Sequence, residues 1–234
     1  MAVPFRVIGP AAALEPAVIV GLYSGLTEEE YDTLSRIAPT VAQPAEYSDW
    51  GIPWQELTRR IGQIVGQPSR AEGLIADVEA QIEAVRAAHP EFEGATGIVA
   101  SPWGYPANYY AYGPQDVRGR LMSALGFTIP EDVIELAGDE FGATISRERL
   151  DLVDLDVLIW TFDTRGNVKL YQLDPLYSQL NAPQEGRDIF LTEDDALFDA
   201  LNFSTVLSLP YALEHLPPLL TAALDGDPDT TASP

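Results

Sequence analysis

The sequence predicts an α/β fold in which a three-layer lobe with a mostly parallel sheet is joined by one long helix to a partial first lobe. Short apolar runs, typical of buried parallel strands, alternate along the chain with segments of helical periodicity. Apolar side chains recur at spacings of three and four residues from Leu74 to Val85, which predicts a single long amphipathic helix. That helix divides the sequence into two units that each alternate strands and helices.

Four segments follow from this division. They are a first α/β unit (1–52), a helix pair that includes the long helix (53–93), a second α/β lobe (94–224) and a polar tail predicted to be disordered (225–234).

The first segment is predicted to have the order β-α-β. Residues 17–22, AVIVGL, form an apolar run that predicts a buried strand, and Tyr23-Ser24-Gly25 turns out of it. Thr27 and Glu30 have the spacing of a capping box, which predicts the start of a helix. Residues 40–43 predict a second short strand.

The helix pair is predicted from capping and breaking residues. Residues 54–66 have helical periodicity and end in a glycine. Ser69 and Glu72 have the spacing of a second capping box, which predicts the start of the long helix. The long helix is expected to extend to about Ala88, because Pro90 cannot continue it.

The second lobe is predicted to alternate strands with helices. Strands are expected at 96–100, 156–161 and 187–191, and helical segments at 117–125, 131–137, 146–152, 174–180, 194–201 and 209–224. Between the first strand and the first helix, residues 101–116 are predicted to form a loop that carries five aromatic side chains.

Composition and missing motifs argue against several function classes. The net charge of −23 would repel nucleic acid and an anionic membrane surface. The sequence contains no cysteine, no GxGxxG, no phosphate-binding P-loop and no GxSxG, so no catalytic residue is predicted. Two histidines at predicted helix ends are expected to be structural, and no metal site is predicted. Prolines interrupt residues 1–20, and no apolar run is long enough to cross a membrane, so neither export nor membrane insertion is predicted.

Aromatic and hydroxyl side chains gather where the predicted strands end, and ligands of open parallel sheets bind beyond the carboxyl ends of the strands. The candidate ligand residues are Tyr23 and Ser24 after the first strand, Trp103, Tyr105 and Tyr109 after strand 96–100, and Trp160 at the end of strand 156–161. Arg118 and Arg165 are candidate donors to anionic ligand oxygens. Tyr109 and Trp160 have an alternative interpretation as residues that pack inside the lobe.

Five segments carry a family resemblance. They are LEPAVIVGLYSGLTEEEYDTLSRIAPTV, PWQELTRRIGQIVGQPSRAEGLIADVEAQI, SRERLDLVDLDVLIW, DPLYSQLNAPQEGRDIFL and LSLPYALEHLPPLL. Their content and order resemble the substrate-binding proteins of ferric-siderophore and cobalamin ABC importers, whose two α/β lobes are joined by a long rigid helix. The resemblance covers about residues 8–224 and is nearer to the iron-siderophore branch.

The resemblance implies a non-enzymatic protein, periplasmic or on the cell surface, that binds a ferric siderophore in an aromatic cleft between the lobes and delivers it to an ABC permease. The siderophore coordinates the iron, so no cofactor is implied. The implied contacts are Tyr23, Trp103, Tyr105 and Trp160 as cleft lining, Arg118 at anionic ligand oxygens and Glu28 at an arginine of the permease. Glu28 has a second interpretation as a first-turn acid that favours the helix dipole. Family members carry a complete first lobe and an export signal before the strand at 17–22. The resemblance therefore implies that residues 1–52 are a remnant of the first lobe, joined to the second lobe by the long spine helix, and that either the chain is truncated or its start was set too late.

Two other functions remain open from the residues alone. An α/β hydrolase or transferase would need a base to face a nucleophile such as Ser101 at one strand exit. A truncated interaction module that binds no ligand would leave the strand at 17–22 as an uncovered edge.

Overall fold

The strands form two sheets in the computed structural model, which describes residues 12–103, 105–162 and 165–230. A parallel pair contains β1 (Ile19–Gly21) and β2 (Thr40–Ala42). The larger sheet contains β3 (Gly97–Ser101), β4 (Asn108–Tyr112), β5 (Gly142–Ser146), β6 (Val157–Phe162) and β7 (Asp188–Thr192), in the spatial order β5-β4-β3-β6-β7.

Helices account for much of the remaining described chain. They are α1 (Glu28–Ser35), α2 (Trp54–Ile64), α3 (Pro68–Ala88), α4 (Val117–Leu125), α5 (Glu131–Ala137), α6 (Arg165–Gln172), α7 (Asn181–Gln184), α8 (Ala196–Phe203) and α9 (Leu209–Leu224). Short 3-10 segments lie at Pro90–Phe92, Arg147–Val153 and Tyr177–Gln179. The predicted α/β class is confirmed, with helices and strands alternating on both sides of α3.

The small unit has the predicted β-α-β order. The Thr27 hydroxyl accepts a hydrogen bond from the Glu30 backbone N–H at 3.3 Å, and the Glu30 carboxylate accepts one from the Thr27 N–H at 3.0 Å. These reciprocal bonds satisfy two backbone donors at the start of α1, so the predicted capping box is confirmed.

The long helix is confirmed, but the predicted second capping box is wrong. Helix α3 begins at Pro68, and Gln67 at the N-cap makes no side-chain capping bond. Proline suits the first helical turn because its fixed φ is helical and its missing N–H would have no partner there. At its N-terminal end α3 crosses α2 closely, because Gly62 has no side chain to separate its backbone from Ala71.

The larger sheet is mixed rather than uniformly parallel. Strands β3, β6 and β7 run parallel, whereas β4 is antiparallel to both β3 and β5. The predicted loop at 101–116 is therefore partly wrong, because three of its five aromatic residues lie in β4. Tyrosine is favoured on the pleated surface of a strand, and the nearby Gly and Pro residues obscured that signal in the sequence.

Helices cover both faces of the larger sheet, so the predicted three-layer lobe is present. Helices α3, α4, α8 and α9 pack on the face that contains Val99 and Ile159. Helices α5, α6 and α7 pack on the opposite face, which contains Ile98 and Trp160. At the C-terminus, the Thr230 N–H bonds to the Asp227 carbonyl. Residues 225–230 of the tail predicted to be disordered are described, and residues 231–234 lie outside the described residues.

Candidate functional site

The parallel strands β3, β6 and β7 end side by side, and the line formed by their carboxyl ends is named here the strand-exit edge. Near it Trp160 pairs with Phe190, and Phe162 pairs with Thr192. The chain leaves β3 at this edge after Ser101 and returns to it in β4, since Ser101 pairs with Tyr110. This strand-exit edge is where ligands bind in open α/β sheets. It is therefore the candidate functional site.

Trp103 and Tyr105 present their rings at this edge. Their exposed fractions are 55% and 40%, which is high for large aromatic side chains. The Trp103 ring lies 5.4 Å from that of Tyr110, whereas the Tyr105 ring lies 6.1 Å from that of Tyr109. Because Tyr109 and Tyr110 point to opposite faces of β4, the two exposed rings lie on the two sides of the edge.

Trp160 and Tyr109 do not line this surface, so their core interpretation is the correct one. Both side chains are 0% exposed, and their rings lie 5.7 Å apart. The ring of Tyr171 on α6 covers Trp160 at 4.5 Å. The strand continues through Phe162, which places Trp160 inside the sheet rather than at its exit.

Arg118 is held in a buried ion pair next to the edge. Its Nε and Nη2 donate to the two carboxylate oxygens of Asp116 at 2.7 and 2.8 Å, and its Nη1 donates to Asn202 at 2.9 Å. The guanidinium carbon lies 3.4 Å from the centroid of the Tyr112 ring, in cation–π geometry. Burial lowers the pKa of Arg118, but the bonds and charge of Asp116 outweigh that effect, so the pKa is raised and the guanidinium stays charged.

Tyr23 of the small unit lies near enough to this ion pair for the charges of Asp116 and Arg118 to act on it. Its ring packs edge-on against Trp50 with centroids 5.4 Å apart. Burial, and to a smaller extent the charge of Asp116, raises the pKa of Tyr23 to about 12, while the charge of Arg118 opposes the change. The hydroxyl is therefore protonated at neutral pH and can donate a hydrogen bond. Ser24 stabilises the turn that follows β1 instead, because its hydroxyl donates a hydrogen bond to the Gly21 carbonyl at 2.7 Å.

Two arginines at the site were not predicted to have a role. Arg120 donates to the Gly51 carbonyl at 2.6 Å and so ties α4 to the loop before α2. Arg147 follows β5 and donates through Nε and Nη2 to Asp174 at 3.1 and 2.7 Å. Burial is the largest single effect and raises the pKa of Asp174. The hydrogen bonds and charge of Arg147, together with the backbone N–H groups of Leu176 and Tyr177, outweigh it, so the net pKa is lowered. Arg147 and Asp174 are 27 positions apart in the sequence and belong to no local motif, so only the structure reveals that they form a pair.

The remaining candidates are placed as follows. Glu28 is exposed at the first position of α1. Arg165 begins α6 directly beyond β6, and its side chain lies outside the described part of the chain. The Ser101 hydroxyl accepts a bond from the Tyr112 hydroxyl at 3.3 Å. Together these positions leave the half-buried Tyr23 and the exposed Trp103 and Tyr105 as the predicted aromatic residues outside the core, and these three are named here the aromatic patch.

Three further features of the described residues bear on the site: metal-binding clusters, membrane-spanning helices and cavities. No cluster of three His, Cys, Asp or Glu side chains there could hold a metal ion, and no helix there has the length and apolar character of a membrane span. A cavity of about 300 Å³ lies between α8 and α9, lined in part by Leu197, Tyr211 and His215. No member of the aromatic patch lines that cavity.

Comparisons with known proteins match most of the chain. Residues 11–195 match the family described as periplasmic binding protein. A periplasmic solute-binding protein of Mycobacterium smegmatis is 31% identical with a TM-score of 0.79, covering 93% of this chain and 72% of its own. PiaA of Streptococcus pneumoniae, solved in complex with ferrichrome, is 27% identical with a TM-score of 0.80, covering 94% and 74%.

A curated relative matches a shorter part. The ferric enterobactin-binding periplasmic protein FepB of Escherichia coli is 29% identical over 138 residues, which is 52% of this chain. The match spans 42% of the length of FepB. The two solved structures therefore support the fold across more than nine-tenths of this chain, while the curated match is confined to about half of it.

Proposed function

Because this chain belongs to the periplasmic binding protein family, we propose that it is the solute-binding component of an ABC importer and that its ligand is a ferric siderophore. The names of two relatives support the ligand class, since PiaA was solved with ferrichrome and FepB is named for ferric enterobactin. PiaA is also named a substrate-binding protein of an iron uptake ABC transporter and FepB a binding protein, which supports a function without catalysis. The proposed place of action is outside the cytoplasm, where the permease collects its ligand.

The exposed rings at the strand-exit edge are the observation that carries this proposal. Trp103 and Tyr105 offer flat, rigid surfaces with few rotatable bonds, so they can pack on a bulky chelate at small entropic cost. The siderophore supplies all ligands to iron in this proposal, and the protein contacts its organic shell. A metal-binding side chain is therefore not required.

Polar groups beside the rings would orient the ligand. The Tyr23 hydroxyl remains protonated at neutral pH and can donate to a hydroxamate or catecholate oxygen. Arg118 presents a fixed guanidinium beside the Tyr112 ring. The proposed cleft lies where Tyr23 of the small unit approaches Arg118 of the larger lobe, with residues 1–52 and 94–224 as its two sides.

Glu28 is the proposed contact with the permease. It is exposed on the first turn of α1, where it can reach a partner without breaking the capping box of Thr27 and Glu30. An arginine of the permease would match its charge. Domain boundaries, cleft lining and delivery to the permease all belong to this proposal.

Equilibrium dialysis against ferrichrome loaded with radioactive iron tests the proposal. We expect saturable binding by the wild-type chain, and we expect Trp103→Ala to weaken it at least about 10-fold, as loss of a central aromatic contact does. Leu136→Ala is the matched control, since Leu136 on α5 is also 55% exposed and should leave affinity unchanged. Equal binding by the Trp103 variant and the wild type would contradict the assignment of the site.

A further inference from the structure

Two of the three arginines whose side chains the structure describes near the strand-exit edge are already matched by acids. Arg118 shares a bidentate ion pair with Asp116, whose side chain is fully buried. Arg147 shares a bidentate pair with Asp174, whose side chain is almost as deeply buried. Each pair adds no net charge to the surface that a ligand would meet.

These pairs are expected to persist when a ligand binds. Separating a buried pair leaves an uncompensated charge in a poorly solvated place, which is strongly unfavourable. Asp116 also accepts a hydrogen bond from the Arg118 backbone N–H at the start of α4, and Asp174 accepts one from the Leu176 N–H. Both aspartates are therefore fixed by the backbone as well as by their arginines.

The third described arginine near the edge, Arg120, donates to neutral groups rather than to an acid. Arg120 is held by the neutral oxygens of Gly51 and Gln115, and the carboxylate of Asp116 acts on it as well. On the same side, the carboxylate of Asp49 lies against Gly25. The charge of Glu140 acts on Tyr110, which packs beneath Trp103.

The surrounding field is negative. The whole chain carries a net charge of −23, so an anion that approaches the aromatic patch meets long-range repulsion as well as locally neutralised arginines. Ferric siderophores differ widely in charge. Three hydroxamates, each singly negative, neutralise ferric iron, whereas three catecholates, each doubly negative, leave a complex with three negative charges.

We propose that this site selects ferric chelates of neutral or positive overall charge, such as tris-hydroxamates, and rejects the triply negative tris-catecholates. This inference rests on the function proposed above and adds its substrate class. The names of the relatives do not decide the question, because PiaA was solved with ferrichrome and FepB is named for ferric enterobactin. The inferred charge selection rests instead on the ion pairs of Arg118 with Asp116 and of Arg147 with Asp174.

Equilibrium dialysis with three iron-loaded chelates tests the inference on the wild-type chain. The probes are ferrichrome, which is neutral, ferrioxamine B, whose free amine makes it positive, and ferric enterobactin. We expect the two hydroxamates to bind at least about 100-fold more tightly than ferric enterobactin. We also expect the Kd of ferrichrome to change less than about 2-fold between about 50 and 500 mM NaCl, because a neutral ligand gains little from charge attraction.

A charge-releasing variant tests the cause. Asp174→Asn should free the charge of Arg147 and tighten binding of ferric enterobactin about 10-fold or more, while the Kd of ferrichrome changes much less. Glu93→Gln is the control. It changes the net charge by the same amount and frees Arg86 from its ion pair with Glu93. Glu93 precedes β3, so this pair lies at the end of the sheet opposite the strand-exit edge. Glu93→Gln should leave all three affinities unchanged.

The outcomes separate the two proposals. If ferric enterobactin binds as tightly as ferrichrome, the charge selection is wrong while the siderophore function stands. If Asp174→Asn and Glu93→Gln have the same effect on ferric enterobactin, local neutralisation by Asp174 is overturned as the cause. Should none of the three chelates bind the wild-type chain, the proposed siderophore function itself is wrong.

Discussion

Trp160→Ala is expected to lower the free energy of unfolding by about 3–5 kcal/mol, the cost of removing a large aromatic side chain from a packed interior. The side chain is 0% exposed, and its ring lies within 6.2 Å of four others, including Tyr171 at 4.5 Å and Tyr109 at 5.7 Å. Loss of the indole would leave a cavity that the surrounding strands and α6 cannot fill. Urea denaturation followed by far-ultraviolet circular dichroism measures the change.

Trp103→Ala is the matched control for Trp160→Ala. The same residue type is removed, but Trp103 is 55% exposed and packs mainly on Tyr110. We expect its unfolding free energy to fall by less than about 1 kcal/mol, since exposed positions contribute little to stability. Equal losses for the two variants would contradict the assignment of Trp160 to the core and Trp103 to the surface.

Asp116→Ala is expected to have a similarly large effect, about 3–5 kcal/mol, because it leaves the buried guanidinium of Arg118 without its partner. The variant also removes the side-chain cap of α4, in which Asp116 accepts from the Arg118 N–H at 2.8 Å. Chemical denaturation measures the loss. The double variant Asp116→Ala with Arg118→Met should recover much of it, since no unpaired charge remains.

An exposed ion pair provides the comparison. Asp151 pairs with Arg149 at 3.3 Å, and both side chains are more than half exposed. Asp151→Ala should therefore cost less than about 1 kcal/mol. If the losses from Asp116→Ala and Arg118→Met simply add in the double variant, the two residues do not act as a pair and the account of this site is wrong.

Local signals in the sequence were sufficient for much of the fold. The capping box of Thr27 and Glu30 marks the start of α1, and Gly126 ends α4 in the left-handed conformation at φ 113°. Apolar spacing from Leu74 to Val85 identifies α3. Each of these features depends on residues within a few positions of one another, so each could be predicted without tertiary contacts.

The unpredicted elements depend on partners distant in sequence. Strand β4 exists because Asn108–Tyr112 pairs with both β3 and β5, and its tyrosines fill both faces of the sheet. Helix α6 was not predicted from the sequence either. Its Tyr171 packs on Trp160, which is eleven positions away in the chain.

The candidate site was predicted only in part for the same reason. The sequence predicted the exposed rings of Trp103 and Tyr105, because they follow an apolar run directly. It placed Trp160 at a strand exit, whereas pairing of β6 with β7 extends the strand to Phe162. The pairing of Arg147 with Asp174 could not be predicted, since neither residue stands in a local motif.

Hydrogen–deuterium exchange with and without ferrichrome tests most directly the central claim that the strand-exit edge binds a ferric chelate. We expect slower exchange in peptides that contain residues 20–24 and 101–112, where the aromatic patch lies. Exchange near the end of α9 should not change. Protection confined to residues 194–219, around the cavity between α8 and α9, would place the ligand elsewhere and contradict the account.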